Sequence, residues 1–494
     1  MNQTATDKST TSQGSHAGDV SRSAQEKLAA IGVSEVPLYE IRKKIYPRSV
    51  TGWFAGWRWA LVWFTQLLFY GLPWLSINGR QSVLFDLEAR RFYIFNLVLT
   101  PQDFIFLTAL LVISALSLFL FTTVAGRLWC GYACPQTVYT EIFLWIERKV
   151  EGERGKRIKL DKSPMSARKL RLKFTKHGLW IALALWTGFT FVGYFTPIAD
   201  LAGKVTSLSM GPWETFWILF YGFATYGNAG VMREQVCIYM CPYARFQGVM
   251  FDRDTLVITY DETRGDPKGK RGRKTDKTVA GLGDCIDCGL CVDVCPTGID
   301  IRDGQQYECI GCAACVDACN KVMDKMEYPR GLIRYDTLNG VESGLSRWQS
   351  ITRIFRLRVI LYTLALLAIS AAFIITLALR TPLKVDVVRD RATLARELVD
   401  GRIENVFRLL VQNSIEQTRS FTISVNGLPG MQLDTDPVVE VGPAGNKLVP
   451  VRVRIPANAA PAGSHDFVFT ITAADDSAVS IDENARFFIP APTR

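Results

Sequence analysis

All twelve cysteines of this 494-residue chain stand in motifs with metal-binding spacing. Eight form two runs of the bacterial-ferredoxin type, C-x-x-C-x-x-C-x-x-x-C: Cys285, Cys288, Cys291 and Cys295, then Cys309, Cys312, Cys315 and Cys319. Pro296 follows the first run, and Asn320 stands where proline usually follows the second. In such runs three closely spaced thiolates wrap one face of a cubane and the fourth comes from the other run. The spacing therefore predicts two [4Fe–4S] clusters. Cys285, Cys288, Cys291 and Cys319 hold one, and Cys309, Cys312, Cys315 and Cys295 hold the other. Zinc modules fit two successive copies of this spacing far less well. Two neighbouring clusters serve one-electron transfer, and loss of the second proline removes no ligand.

The other four cysteines form two C-x-x-x-C-P pairs, Cys130 with Cys134 and Cys237 with Cys241. Proline suits the first position of a helix, so Cys134 and Cys241 are expected at helix N-termini, where the dipole lowers a thiol pKa. Three uses remain open for thiols so placed. They could bind Cu(I), which soft thiolates select. They could cycle between dithiol and disulfide. They could hold a further iron–sulfur cluster. The bland alternative, ordinary buried cysteines, sits poorly with two copies at matched positions. Met240 could add a thioether, although a Met there is more often packing. Only His16, His177 and His465 are present, none inside an expected span, which excludes a bis-histidine membrane haem. His177 reads as a snorkelling residue at a span edge rather than a ligand.

The elements that must position these thiols are membrane helices. Hydrophobic residues make up 48% of the chain, and mean hydropathy is +0.12. Five apolar runs reach spanning length, at about 57–77, 104–124, 179–199, 213–231 and 359–379. Lys and Arg number eight in residues 1–58, thirteen in 125–178 and nineteen in 232–358, but three in 78–103 and one in 198–212. By the positive-inside rule the N-terminus and all four cysteine motifs are then cytoplasmic, and the tail after residue 380 lies outside. Both thiol pairs follow even-numbered spans, which suggests a duplicated two-span unit. The net charge of +10 reflects these loops rather than nucleic-acid binding. No signal peptide is visible, and residues 1–35 are too polar to order. Residues 81–99 read as an external hairpin. The basic stretch 264–277 could dock an acidic flavodoxin- or ferredoxin-type donor, but reads first as a solvated positive-inside loop.

The expected organisation is a multi-domain membrane protein. A disordered, basic cytoplasmic N-terminus (1–52) precedes a four-span domain with both C-x-x-x-C-P motifs (53–250). A cytoplasmic bacterial-type 2[4Fe–4S] ferredoxin domain (251–350) and a fifth transmembrane helix (351–380) follow. The last part (381–494) has short alternating apolar runs at 406–411, 420–425, 448–455, 466–472 and 486–489. They fit a cysteine-free immunoglobulin-like β-sandwich in the periplasm, a docking or structural module.

The arrangement resembles the FixG/RdxA/CcoG family of cytochrome c oxidase accessory proteins. The resemblance rests on Tyr39 to Pro47, Arg80-Gln-Ser-Val-Leu-Phe-Asp86 with Arg90-Arg-Phe92, and Pro101 to Phe104. It rests further on Arg127 to Thr137, Cys237 to Gln247, the ferredoxin runs and the β tail. It implies a bacterial inner-membrane protein that serves assembly of the cbb(3)-type oxidase, as a cupric reductase. Cys130, Cys134, Cys237 and Cys241 would then bind or reduce copper, which is substrate or bound ion. Partners would be a cytoplasmic electron donor, oxidase subunits or copper chaperones, and lipid. Related ferredoxin-like proteins of nitrate and nitrous-oxide respiration suggest a quinol-linked electron conduit instead, and a non-catalytic copper-binding scaffold is the third reading.

Overall fold

The computed structural model describes residues 44–273, 275, 281–344, 349, 352–390, 395–456 and 458–491. The expectation for residues 1–35 lies outside them, as do Lys274 and Lys277 of the basic stretch. The described residues from Pro47 onward belong to one compact unit, which carries the elements below.

Apolar runs become helices where caps satisfy their free ends. Phe104–Ala125 is entered through a capping box, in which the Asp103 carboxylate accepts from the Thr100 N–H at 3.0 Å. Ser166 caps Ala167–Val192 by accepting from the Lys169 N–H. Trp53–Gly71 has only Gly52 at its start, and Asp317 from a distant helix supplies the missing acceptor. Its carboxylate takes the N–H groups of Phe54 at 3.3 Å and Ala55 at 2.8 Å. Pro212–Thr225 crosses Ala167–Val192 so closely that a Cβ on Gly188 would lie 2.3 Å from the Ile218 carbonyl.

Two helices, Pro101–Ala125 and Leu357–Ala378, are long and apolar enough to cross a membrane. They lie together, with Phe106 edge-on to Phe373. The other expected spans are helical with shifted bounds. The first ends at Gly71 and the third at Val192. The fourth leaves α geometry at Thr225 and continues as a π segment, Tyr226–Met232. Residues 81–99 are not a hairpin but a three-stranded meander, Val83–Asp86, Arg91–Ile94 and Leu97–Leu99. The third strand forms because Phe95 takes a left-handed turn.

The cysteine-rich segment is closed by two antiparallel strands, Val257–Tyr260 and Ile333–Asp336. Its helix Ala314–Met326 buries Val316, Met323 and Met326 against Ile258, Leu332 and Ile333. It joins the long helices at one end, where the Leu256 N–H donates to the Val124 carbonyl at 3.0 Å.

The tail is a sandwich of two antiparallel sheets. One orders Gln432–Leu433, Asn446–Pro456, Arg402–Asn413 and Leu383–Arg389, with Arg396–Glu397 also on Arg402–Asn413. The other orders Val438–Val441, Arg419–Asn426, Gly463–Ala473 and Ser480–Ile489. Alternation sends Val451, Val453 and Ile455 inward against Phe407, Phe467 and Phe469. All five expected runs lie inside these strands.

Candidate electron-transfer site and its thiol pairs

The two ferredoxin runs fold as near copies. Each passes through a left-handed residue, Gly289 (φ 65°) and Ala313 (φ 56°), directly before a helix. Cys291 lies in the short helix Leu290–Asp293, and Cys315 and Cys319 lie one turn apart in Ala314–Met326. Ala313 is fully buried, so its strained backbone holds only a small side chain.

The runs exchange their last cysteines. Burial pushes the Cys319 thiol up to about 12, and the neighbours adding to this are Cys291, Cys285 and Cys288. Cys309 is likewise pushed up to about 12 by burial, with Cys312 and Cys295 beside it. Cys315 rises well above the usual thiol range through burial and the nearness of Cys312, Cys309 and Cys295. Two convergent groups of four thiols result. Among the described residues, no three His, Cys, Asp or Glu groups converge tightly enough for a single metal ion. A four-iron cluster holds its ligands farther apart, and the donor set is all thiol, so these residues fit clusters better than zinc.

The C-x-x-x-C-P cysteines gather beside the second group. Cys130 lies in the helix Leu128–Tyr132 and Cys237 in a π segment, Val236–Met240. Cys134 and Cys241 each stand at an N-cap, of Pro135–Glu151 and Pro242–Met250. The motifs are stitched together by side chains. Gln136 donates to the carbonyls of Asn228 (2.9 Å) and Arg233 (3.0 Å). The Cys130 thiol donates to Gln247 Oε1 at 3.4 Å, and Arg127 Nη2 donates to the Ala244 carbonyl at 2.5 Å. Cys130 and Cys237 pack on the apolar cluster that contains Cys312 and Ala314. A Cβ on Gly131 would lie 2.9 Å from the Cys312 backbone, so only glycine permits this approach. A cavity of about 40 Å³ borders Cys237, Cys312, Arg58, Tyr132 and Glu141.

The helix-dipole expectation for thiol pKa is corrected. Burial raises the Cys134 thiol in spite of its N-cap position and its backbone N–H donors. Burial, then neighbouring thiols, lifts Cys130 to about 11 and Cys237 to about 12. Desolvation of the charged form outweighs the dipole of a helix end. Met240 is exposed. His177 lies within Ala167–Val192, just before the apolar run of the third expected span, and its Nδ1 pairs with the Tyr226 hydroxyl at 2.9 Å. In the basic stretch, Arg264 is paired with Asp284 at 2.6 Å, and Arg271 donates to the Tyr328 hydroxyl at 3.3 Å and keeps its charge.

Sequence reasoning missed four side chains at the site: Arg58, Arg127, Gln136 and Gln247. Arg58 carried a signal, as a single charge inside an apolar run. Gln136 and Gln247 lie within the motif segments, but residue type and spacing do not show which carbonyl or thiol a helical glutamine reaches.

A family model described as a 4Fe-4S dicluster domain matches residues 232–338. One described as a 4Fe-4S binding domain matches 107–152, and one described as the IG-like fold at the C-terminal of FixG matches 373–490. Protein RdxB of Cereibacter sphaeroides is 39% identical over 85% of this chain and 90% of its own length. Nitrogen fixation protein FixG of Rhizobium meliloti is 35% identical over 84% and 87%. The ferredoxin-type protein NapH of Haemophilus influenzae is 26% identical over 38% of this chain and 66% of its own. Among solved structures, a FixG-related protein from Vibrio parahaemolyticus covers 22% of this chain and 97% of its own, at 23% identity and a TM-score of 0.21. On the length and identity of these matches, the chain belongs to the FixG/RdxA family of iron–sulfur electron-transfer proteins.

Proposed function

We propose that this protein is a membrane cupric reductase that supplies Cu(I) for assembly of a cbb(3)-type oxidase. The observation that carries the reading is the gathering of Cys130, Cys134, Cys237 and Cys241 against the Cys312 loop. Bound clusters supply one-electron storage and transfer. Cys285, Cys288, Cys291 and Cys319 hold one, and Cys309, Cys312, Cys315 and Cys295 the other. A flavodoxin- or ferredoxin-type cytoplasmic donor delivers one electron for each Cu(II) that becomes Cu(I). Copper is received at C-x-x-x-C-P thiols, which lose their protons on ligation and favour the reduced ion because thiolates are soft.

In this reading five helices span a bacterial inner membrane. The wide apolar exposure of Trp53–Gly71 and Pro212–Thr225, including Trp63, Leu67, Trp213 and Phe223, supports lipid contact there. The division into an N-terminal segment (1–52), a four-span domain (53–250), a ferredoxin domain (251–350), a fifth span (351–380) and an outer sandwich (381–494) belongs to the same proposal. Oxidase subunits or copper chaperones are the recipients.

The test uses anaerobic full-length protein with reduced clusters, given Cu(II) and a Cu(I)-specific chromophoric chelator. The wild type should release one Cu(I) per stored electron. The Cys130→Ala/Cys237→Ala double variant should lose most of this yield while keeping its iron. Equal yields would overturn the assignment.

One observation favours a second reading. The 4Fe-4S binding match over 107–152 contains no cysteines besides Cys130 and Cys134. The four thiols would then hold a further cluster. Iron content separates the readings, at two clusters' worth per chain or three.

A further inference from the structure

Two guanidinium groups lie beside the second group of cysteines, and among the described residues neither has a carboxylate in ion-pair reach. Arg127 is 5% exposed. Its Nη1 donates to the carbonyls of Tyr307 and Cys309, its Nη2 to that of Ala244, and its Nε is buried without a partner. Arg58 stands one turn beyond Ala55, the residue that Asp317 holds, and borders the same cavity as Cys312. Its Nε is also buried without a partner. Cys312, Glu141, Tyr132 and Asp317 surround it at electrostatic range. Asp317 accepts from two backbone N–H groups and Glu141 pairs with Arg148 at 3.4 Å, so both carboxylates act on Arg58 from a distance and neither pairs with it directly.

The first group of cysteines is treated differently. Its nearby cation, Arg302, is neutralised by Asp287 at 2.7 Å and Asp300 at 2.6 Å. Arg264 close by is neutralised by Asp284. Cys288 is exposed, the only exposed cysteine of the twelve, whereas Cys312 is buried. The first group thus faces solvent, and the second faces the C-x-x-x-C-P thiols.

A cation withdrawn from water without a direct ion-pair partner is destabilising until an anion is brought beside it. An anionic thiolate-bound cluster at Cys295, Cys309, Cys312 and Cys315 supplies the direct counter-charge that neither arginine has among the described residues. Nearby positive charge favours the state with one more electron and raises the reduction potential. We propose that Arg58 and Arg127 set the second cluster site at a higher potential than the first, so that an electron entering at the exposed Cys288 side moves inward to the site beside the four thiols. One electron leaves the first site and one arrives at the second, with no bond made or broken. The proposal rests on the assignment of the eight cysteines to two clusters, and is independent of copper.

The test is an EPR-monitored potentiometric titration of anaerobic full-length protein with its iron content measured. The wild type should show two one-electron waves. Arg58→Gln should weaken electron affinity of the upper wave roughly tenfold, about 59 mV for a one-electron couple, and leave the lower wave in place. Arg58→Lys, which keeps the charge, should hold the upper wave. Arg302→Gln should move the lower wave alone. Arg127 also ties three carbonyl groups, so Arg58, for which the described residues offer no such tie, is the decisive position. An unmoved upper wave in Arg58→Gln, or both waves moving together, overturns the proposal. Iron below two clusters per chain in the wild type overturns the ligand assignment and this proposal with it.

Discussion

Burial decides the charge state of the metal-free thiols. Cys130 and Cys237 sit in an apolar cluster with few donors, so the protonated form is favoured up to about 11 and about 12. Alkylation needs the thiolate. In metal-free protein the rate of Cys130 labelling by iodoacetamide should therefore climb about tenfold per pH unit until about 11. Mass spectrometry of the labelled peptide reads it, and a plateau near 9 would show that burial is not in control. The same shift links to stability. A folded value above the unfolded one keeps its contribution below pH 9 and loses it as pH rises toward 11. The metal-free chain should thus melt progressively lower across that window in a thermal scan. Spacing alone revealed all twelve cysteines, because ligand chemistry is written in residue type and separation. Their pKa values were not legible, since desolvation depends on segments as distant as Gln247 and Ile310.

Between the two thiol pairs, whole elements are fixed by a buried ion network. Glu147, fully buried on Pro135–Glu151, meets Arg233 Nη2 at 2.9 Å, and Arg157 and Lys176 at 3.5 Å each. Glu151 meets Lys173 and Lys176 at 2.9 Å. That helix starts at Cys134, and Arg233 precedes Cys237 by one turn, so the network sets one motif against the other. Removing one partner of a buried ion pair costs about 3–5 kcal/mol. Glu147→Gln leaves three cations facing a neutral amide and should sharply lower the thermal midpoint, read by loss of cluster absorbance. Arg486→Gln, whose partner Asp466 is exposed, should change it little. None of this network was visible in sequence. Arg157 and Lys176 belong to a stretch of thirteen basic residues that satisfies the positive-inside rule as a solvated loop. Helix placement was legible because apolar runs of about 20 residues have few alternatives. The π segments after Thr225 were not, because a register change in a helix leaves no pattern in residue type.

At the scale of the whole molecule, the two helices apolar enough to cross a membrane separate the redox part from the sandwich. Leu357–Ala378 has 22 residues, about 33 Å at helical rise, which matches a hydrocarbon core of about 30 Å. At one end of the pair, Thr255 Oγ1 donates to the Thr123 carbonyl at 3.1 Å, and Arg356 Nη2 donates to it at 2.7 Å. The cysteine-rich segment begins there. At the other end, Arg380 Nη2 meets Asp103 Oδ2 at 2.7 Å, and Lys384 meets the same carboxylate. The sandwich begins there, and its Glu416 pairs with Arg80 of the segment before the meander. A bilayer around the pair therefore leaves the two soluble parts on opposite faces, whichever way the chain inserts. In the proposed topology the Lys and Arg bias places the cysteine side in the cytoplasm. Alkaline phosphatase fused after the last residue should be active, because it folds only outside the cytoplasm, and the same reporter fused after Asn339 should be inactive. Activity at both positions would remove the membrane crossing between them, and the reversed pattern would invert the topology while keeping it. The sandwich itself adds a local check. Phe469 is fully buried among Phe407 and Phe467, so Phe469→Ala should cost about 3–5 kcal/mol. That loss should appear as early unfolding of the β signal in circular dichroism while cluster absorbance persists, because among the described residues the sandwich pairs with Arg80, Asp103 and the helix ends and not with the cysteine-rich segment.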